Sequence, residues 1–172
     1  SLVLAPVGAG KTAIALTAMQ AYIDEHIVRR FIVLAPKRVA QHVWKPERDK
    51  WAPDLWLEVA VGTPAERLRA FESRAPVVVT NYDNLQWAAA EDLLGDFDGI
   101  VFDELTRMKN PSGKRFKAIA PAIEHIQIRI GLTGSFTSNG VEDCFGQCKI
   151  VNQALLGRSK GAFLQQYFVL VN

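Results

Sequence analysis

The chain has 172 residues, 49% of them hydrophobic, and 20 Lys and Arg against 18 Asp and Glu give a net charge of +2. This length suits one globular domain with a full-sized core, and a nearly balanced charge neither demands nor excludes a nucleic-acid partner. No apolar run approaches the roughly 20 residues that a transmembrane helix needs, so such a helix is excluded. The two cysteines, Cys144 and Cys148, are expected to be free thiols in a reducing compartment.

Six short apolar runs, rich in Val, Ile and Leu, predict strands at 2–5, 31–35, 57–61, 77–80, 99–103 and 126–133. Near-continuous apolar runs of this length are typical of parallel strands that are covered on both faces. Helical patterns lie between them, the clearest at 11–26, 37–51 and 63–73. The alternation predicts an α/β fold, a mostly parallel sheet with helices on both faces.

Two of the predicted helices carry local signals. Pro46 in the middle of 37–51 predicts either a kink or a division into two helices. The third helix opens with Thr63, a proline and Glu66, the pattern of a capping box. Residues 109–115 form the most loop-like stretch, and both chain ends read as interrupted, so we expect a piece of a longer protein.

The first predicted strand runs into the turn Ala-Pro-Val-Gly-Ala-Gly-Lys-Thr at 5–12. This is the phosphate-loop pattern Gly-x-x-x-x-Gly-Lys-Ser/Thr with Ala5 at the first position, where a small residue suffices. The loop would wrap backbone N–H groups around phosphate oxygens at the start of a helix. Lys11 would reach the β- and γ-phosphates, and the Thr12 hydroxyl would bind Mg²⁺. A turn that binds nothing is the alternative, but the strand before and the helix after favour a nucleotide site made of Pro6, Val7, Gly8, Ala9, Gly10, Lys11 and Thr12.

The strand predicted at 99–103 ends in two adjacent carboxylates, Asp103 and Glu104. At the carboxyl edge of a parallel sheet, Asp103 can hold Mg²⁺ beside the nucleotide, while Glu104 can act as general base on the attacking water. The alternative is an acidic helix cap. The position of the carboxylate pair, after a phosphate loop and at the end of an apolar strand, favours a catalytic role instead. Glu104 and Lys11 are the predicted catalytic residues.

The carboxylate pair heads the run Asp-Glu-Leu-Thr-Arg-Met-Lys-Asn at 103–110, which resembles the corresponding box of superfamily 2 helicases of the Swi/Snf-like branch. Residues 33–51, 77–85 and 131–140 resemble further motifs of that branch in the same order, and the tail is similar to bacteriophage and prophage members. The resemblance covers essentially the whole chain. It implies a RecA-like P-loop NTPase domain whose ATP site lies at the carboxyl ends of the strands.

By the same resemblance, residues 1–172 form the first RecA-like lobe of a DNA-dependent ATPase that translocates on double-stranded DNA, with ATP and Mg²⁺ as cofactors. A second RecA-like lobe is expected downstream in the polypeptide, the location is expected to be cytoplasmic in a bacterium or a phage-infected cell, and no membrane partner is expected. Contacts to the sugar-phosphate backbone are expected from strand-end loops, at Lys37, Arg38, Thr80, Asn81 and Lys109. Coupling of hydrolysis to movement is expected at Thr133, Gly134 and Ser135.

Three positions depart from the branch pattern: Leu105 replaces Ala, Thr106 replaces His, and Ser135 with Phe136 replaces Thr-Pro. Two other functions stay open: a strand-separating DNA or RNA helicase of superfamily 2 and, because the box is altered, a lobe that binds ATP without turning it over. The four tryptophans could stack on bases, but their helical and strand spacings favour positions in the core.

Overall fold

The computed structural model describes residues 1–137, 140 and 142–168. Six strands in these ranges form one sheet: β1 (Leu2–Leu4), β2 (Phe31–Ala35), β3 (Leu57–Ala60), β4 (Val77–Asn81), β5 (Gly99–Asp103) and β6 (Ile128–Thr133). The spatial order is β1-β6-β5-β2-β4-β3, and every neighbouring pair is parallel. Each predicted strand is present with its ends within two residues of the prediction, which confirms the α/β fold with a parallel sheet.

The helices of the described part are α1 (Lys11–Asp24), α2 (Lys37–His42), α3 (Trp44–Trp51), α4 (Pro64–Glu72), α5 (Asn84–Ala90), α6 (Lys114–Ala122), α7 (Asp143–Val151) and α8 (Lys160–Tyr167). A short 3₁₀ helix spans Leu105–Met108. The predicted division of 37–51 is confirmed, with the break at Val43. Pro46 has no N–H for the carbonyl of His42 and its ring would clash with that carbonyl in a continuous helix, so it lies in the first turn of α3 instead. The capping box of Thr63 and Glu66 is also confirmed.

Alternating side chains of the central strands build one apolar layer on each face of the sheet. Ile32 and Leu34 of β2 pack in the cluster that α4, α5, α6 and α7 cover, while Phe31 and Val33 pack in the cluster that α1, α2 and α3 cover. Because every strand is parallel, all their carboxyl ends meet at one edge of this three-layer structure.

The expectation that all four tryptophans belong to the core is wrong for two of them. Trp44 is fully buried, whereas Trp51 and Trp56 are 52% and 48% exposed. Each exposed indole donates to a nearby glutamate, Trp51 to Glu47 and Trp56 to Glu58, at 3.0 Å. Both lie where a helix ends or a strand begins, so the periodicity that places a residue on a core face does not extend to them.

Two further features bear on the expectations. The loop predicted at 109–115 ends earlier, because α6 begins at Lys114. Among the residues that the structure describes, no helix is long and apolar enough to cross a membrane.

Candidate nucleotide site

The segment between β1 and α1 turns at two glycines with left-handed backbone conformations. Gly8 has φ 81° and Gly10 has φ 76°, angles that residues with a Cβ rarely adopt. Within the described residues, no side chain caps the N-terminus of α1 and no acidic residue lies in its first turn. The first N–H groups of α1 and its positive dipole end can therefore serve an anion at this turn.

Lys11, the first residue of α1, folds its side chain over the loop that precedes it. Its Nζ donates to the carbonyl oxygens of Ala5 and Pro6, at 2.8 and 2.9 Å. The ammonium is thus held beside the loop that it would serve. A phosphate oxygen would replace neutral acceptors by a charged one, which forms the stronger hydrogen bond.

Asp103 ends β5 and is held at two points. Its Oδ2 accepts a hydrogen bond from Nε1 of Trp44 at 3.0 Å, and its main-chain oxygen accepts one from the hydroxyl of Tyr82 at 2.7 Å. Burial raises the pKa of the Asp103 carboxyl, although the hydrogen bond from Trp44 opposes the shift. The charged form of this carboxyl is therefore short of solvation, which favours a nearby cation.

Glu104 follows in a conformation that is uncommon for any residue other than glycine. Its φ of 64° and ψ of 59° lie in the left-handed region, and the 3₁₀ helix begins at the next residue. The side chain is exposed. Strained residues of this kind cost about 1–3 kcal/mol and cluster at functional sites, so the sharp turn at the end of β5 fits a residue that faces a reacting group.

One cleft of about 570 Å³ gathers these parts, with Lys11, Asp103, Glu104 and the segment 133–135 among the residues that line it. The sheet order explains the gathering, because β1, β6 and β5 are adjacent strands and their carboxyl ends lead to Lys11, to Thr133 and to Asp103. Three motifs far apart in the sequence therefore face one volume. Thr12, the second residue of α1, lies half-buried beside Lys11.

The predicted coupling segment forms a tight turn at the wall of this cleft. The Thr133 hydroxyl donates to the carbonyl oxygen of Ser135 at 2.8 Å, and the Ser135 N–H donates to the same hydroxyl at 3.2 Å. Gly134 lies between them and also lines the cleft. Ser138 and Asn139, which belong to the same predicted motif, lie outside the described residues. The coupling role of 133–135 stays a prediction.

The residues predicted to contact DNA do not share one environment. Lys37 and Arg38 are exposed at the start of α2, next to the carboxyl end of β2. Lys109 lines the nucleotide cleft instead of a separate loop, and its Nζ forms an ion pair with Asp143 at 3.1 Å. Their contacts with DNA stay predictions; Lys37 and Arg38 are exposed, whereas Lys109 is half-buried.

The expected loop position of Thr80 and Asn81 is wrong, since both are the last residues of β4 and both are buried. The Thr80 hydroxyl donates to the carbonyl oxygen of Ala60 at 2.7 Å. Thr80 therefore fastens β4 to β3 and has no exposed atom to offer a phosphate. Strand β4 therefore extends two residues beyond the apolar run at 77–79, and the side chains of both polar residues are buried at its end.

Sequence reasoning missed three residues that shape the site. Trp44 and Tyr82 hold Asp103. Both lie in the stretches 33–51 and 77–85 that resemble motifs of the Swi/Snf-like branch, but nothing in those motifs links either residue to Asp103. Gly146 lets α7 lie against the 3₁₀ helix, because a Cβ there would collide with the main-chain oxygens of Met108 and Lys109. That close approach brings Asp143 to Lys109 at the cleft.

Comparison with known proteins agrees with this geometry. Residues 1–138 match the family described as type III restriction enzyme, res subunit. The chain is 39% identical, over 98% of its length, to protein p41 of Acyrthosiphon pisum secondary endosymbiont phage 1, and 29% identical, over 81%, to the DNA excision repair protein ERCC-6-like 2 of Mus musculus. It spans only 39% and 9% of these two relatives.

A solved structure of the Sulfolobus solfataricus SWI2/SNF2 ATPase core in complex with double-stranded DNA superimposes with a TM-score of 0.80 and 26% identity. The match covers 96% of the present chain and 34% of the archaeal one. The predicted RecA-like architecture and the resemblance to the Swi/Snf-like branch and its phage members are thereby confirmed.

Proposed function

The chain belongs to the family described as type III restriction enzyme, res subunit, and from this premise we propose that it is the ATP-hydrolysing first lobe of a motor that translocates on double-stranded DNA. The observation that carries the proposal is the single cleft that Lys11, Asp103 and Glu104 line together. A phosphate-binding cation, a candidate metal ligand and a candidate general base are the groups that phosphoryl transfer to water requires.

The residues present fit a magnesium nucleotide. The open glycine turn and the first N–H groups of α1 would bind the phosphates, and Lys11 would neutralise their charge. The Thr12 hydroxyl and the Asp103 carboxylate are hard oxygen ligands of the kind that Mg²⁺ prefers, and Asp103 is already short of solvation. Bound Mg²⁺ would neutralise charge on the transferred phosphoryl group. Glu104 would orient the attacking water and accept its proton.

The DNA part of the proposal rests on charge and on the relatives. Lys37 and Arg38 are exposed at the same sheet edge as the cleft, on the half formed by β2 and β4. Backbone contacts from such residues suit a motor that must ignore sequence. The archaeal SWI2/SNF2 core with duplex DNA supports duplex over single-stranded substrates. A second RecA-like lobe in the same polypeptide is part of the proposal, because both relatives extend well beyond the matched region. A cytoplasmic location is also part of the proposal.

The test is ATP hydrolysis by the full-length protein with and without duplex DNA. We expect stimulation by duplex without strand separation, and loss of nucleotide binding in Lys11→Ala. Lys117→Ala is the matched control, because Lys117 is an exposed lysine of α6 that is not among the residues lining the cleft. Unwinding of a labelled duplex would favour the strand-separating helicase, and nucleotide binding without any turnover would favour the binding-only lobe.

A further inference from the structure

Among the residues that the structure describes, Trp44 donates a side-chain hydrogen bond to the Asp103 carboxylate from outside the phosphate loop and the acidic pair. The indole is fully buried, and its Nε1 lies 3.0 Å from Oδ2 of Asp103. The terminal torsion of an aspartate is broad and roughly two-fold, so a free carboxylate rotates easily. A hydrogen bond from a rigid, buried donor fixes that rotation.

The local sequence explains why the indole is at this place. Pro46 ends the preceding helix by Val43, and the chain restarts a helix with Trp44 as its first residue. The ring packs in the same apolar cluster as Ala15, Leu16 and Met19 of α1, the helix that Lys11 and Thr12 begin. Trp44 therefore packs in the apolar cluster of α1, the helix that carries the predicted metal ligand Thr12, and donates a hydrogen bond to the other predicted ligand, Asp103.

We propose that Trp44 is a positioning residue for Mg²⁺, because its indole N–H sets the orientation of the Asp103 carboxylate toward the metal. The inference rests on the proposed function of the cleft. Partners that orient a metal-ligating side chain typically contribute 10–100-fold to metal affinity. An exposed carboxylate would accept hydrogen bonds from water, and the indole N–H replaces one of these for the largely buried Asp103 carboxylate.

The first experiment uses the full-length protein and Trp44→Phe, which removes the donor and keeps an aromatic ring. Binding of ADP is followed by calorimetry while Mg²⁺ is varied, and Mn²⁺ bound in the presence of ADP is counted by electron paramagnetic resonance. We expect the half-saturating metal concentration to rise about 10–100-fold, while the affinity for ADP in EDTA is unchanged. Trp87→Phe is the matched control, since Trp87 packs against Phe71 on the opposite face of the sheet.

A second variant keeps the test decisive if Trp44→Phe does not fold. Replacement of Trp44 by benzothienylalanine keeps the two-ring shape and exchanges the N–H for sulfur, so it removes the hydrogen bond alone. A parental metal midpoint in either folded variant would overturn the inference, as would an equal loss of affinity with and without metal. If the parental protein binds no nucleotide at all, the proposed function fails and this inference falls with it; parental binding with an unchanged variant overturns this inference alone.

Discussion

Replacing Glu104 by glutamine should separate nucleotide binding from turnover. Glu104 is exposed, lines the cleft and forms no part of the apolar core, so the substitution leaves packing intact. Glutamine has nearly the same shape and the same backbone cost at φ 64°, so stability should be unchanged. Loss of a general base costs about 10²–10⁴-fold in rate, equivalent to about 3–5 kcal/mol in the activation barrier.

The assay is single-turnover phosphate release by the full-length protein on duplex DNA, with ADP affinity measured by calorimetry in parallel. Glu72→Gln is the control, because Glu72 is also an exposed glutamate, lies at the end of α4 and is not among the residues lining the cleft. We expect parental affinity and a slow chemical step in Glu104→Gln alone. Hydrolysis at the parental rate would remove Glu104 from the role of general base, and an equal loss of ADP affinity would show that it acts in binding.

Three further predictions concern DNA, the isolated lobe and acid stability. Duplex binding by the full-length protein should be insensitive to DNA sequence and should weaken steeply with salt. In a fluorescence titration, Lys37→Ala should reduce the slope of log K against log salt concentration by about 1. A loss of affinity for particular base sequences only would contradict the backbone contact. Residues 1–172 alone should hydrolyse ATP barely above background with or without duplex, because an arginine finger from a second lobe is worth about 10³–10⁵ in rate; brisk DNA-stimulated phosphate release would rule out the two-lobe site. Burial by itself would raise the pKa of Asp98, but hydrogen bonds from Arg30 and Arg29 outweigh it and lower the pKa, so this stabilisation is present above about pH 4 and is lost as the pH falls further. Asp98→Asn should cost about 1 kcal/mol at neutral pH in urea unfolding, after allowance for its partial exposure, and a gap of the same size at pH 3 would contradict this account.

The sequence by itself determined the elements and the chemistry that is local to them. The phosphate loop could be read because Gly8, Gly10 and Lys11 act within one turn, where spacing along the chain is also spacing in space. The acidic pair could be read because Asp103 ends a continuous apolar run. The capping box at Thr63 could be predicted for the same reason, since its two partners are three residues apart.

Only the tertiary structure decided which of these local features meet. The order β1-β6-β5-β2-β4-β3 places the ends of β1, β6 and β5 side by side, so Lys11, Thr133 and Asp103 share a cleft, while Lys37 lies on the other half of the edge. The burial of Thr80, the pairing of Lys109 with Asp143 and the hydrogen bond of Trp44 to Asp103 likewise depend on contacts between residues 20 to 59 positions apart. Such contacts depend on how strands pair and helices pack across the sheet, and no pattern within a short window of sequence encodes that pairing.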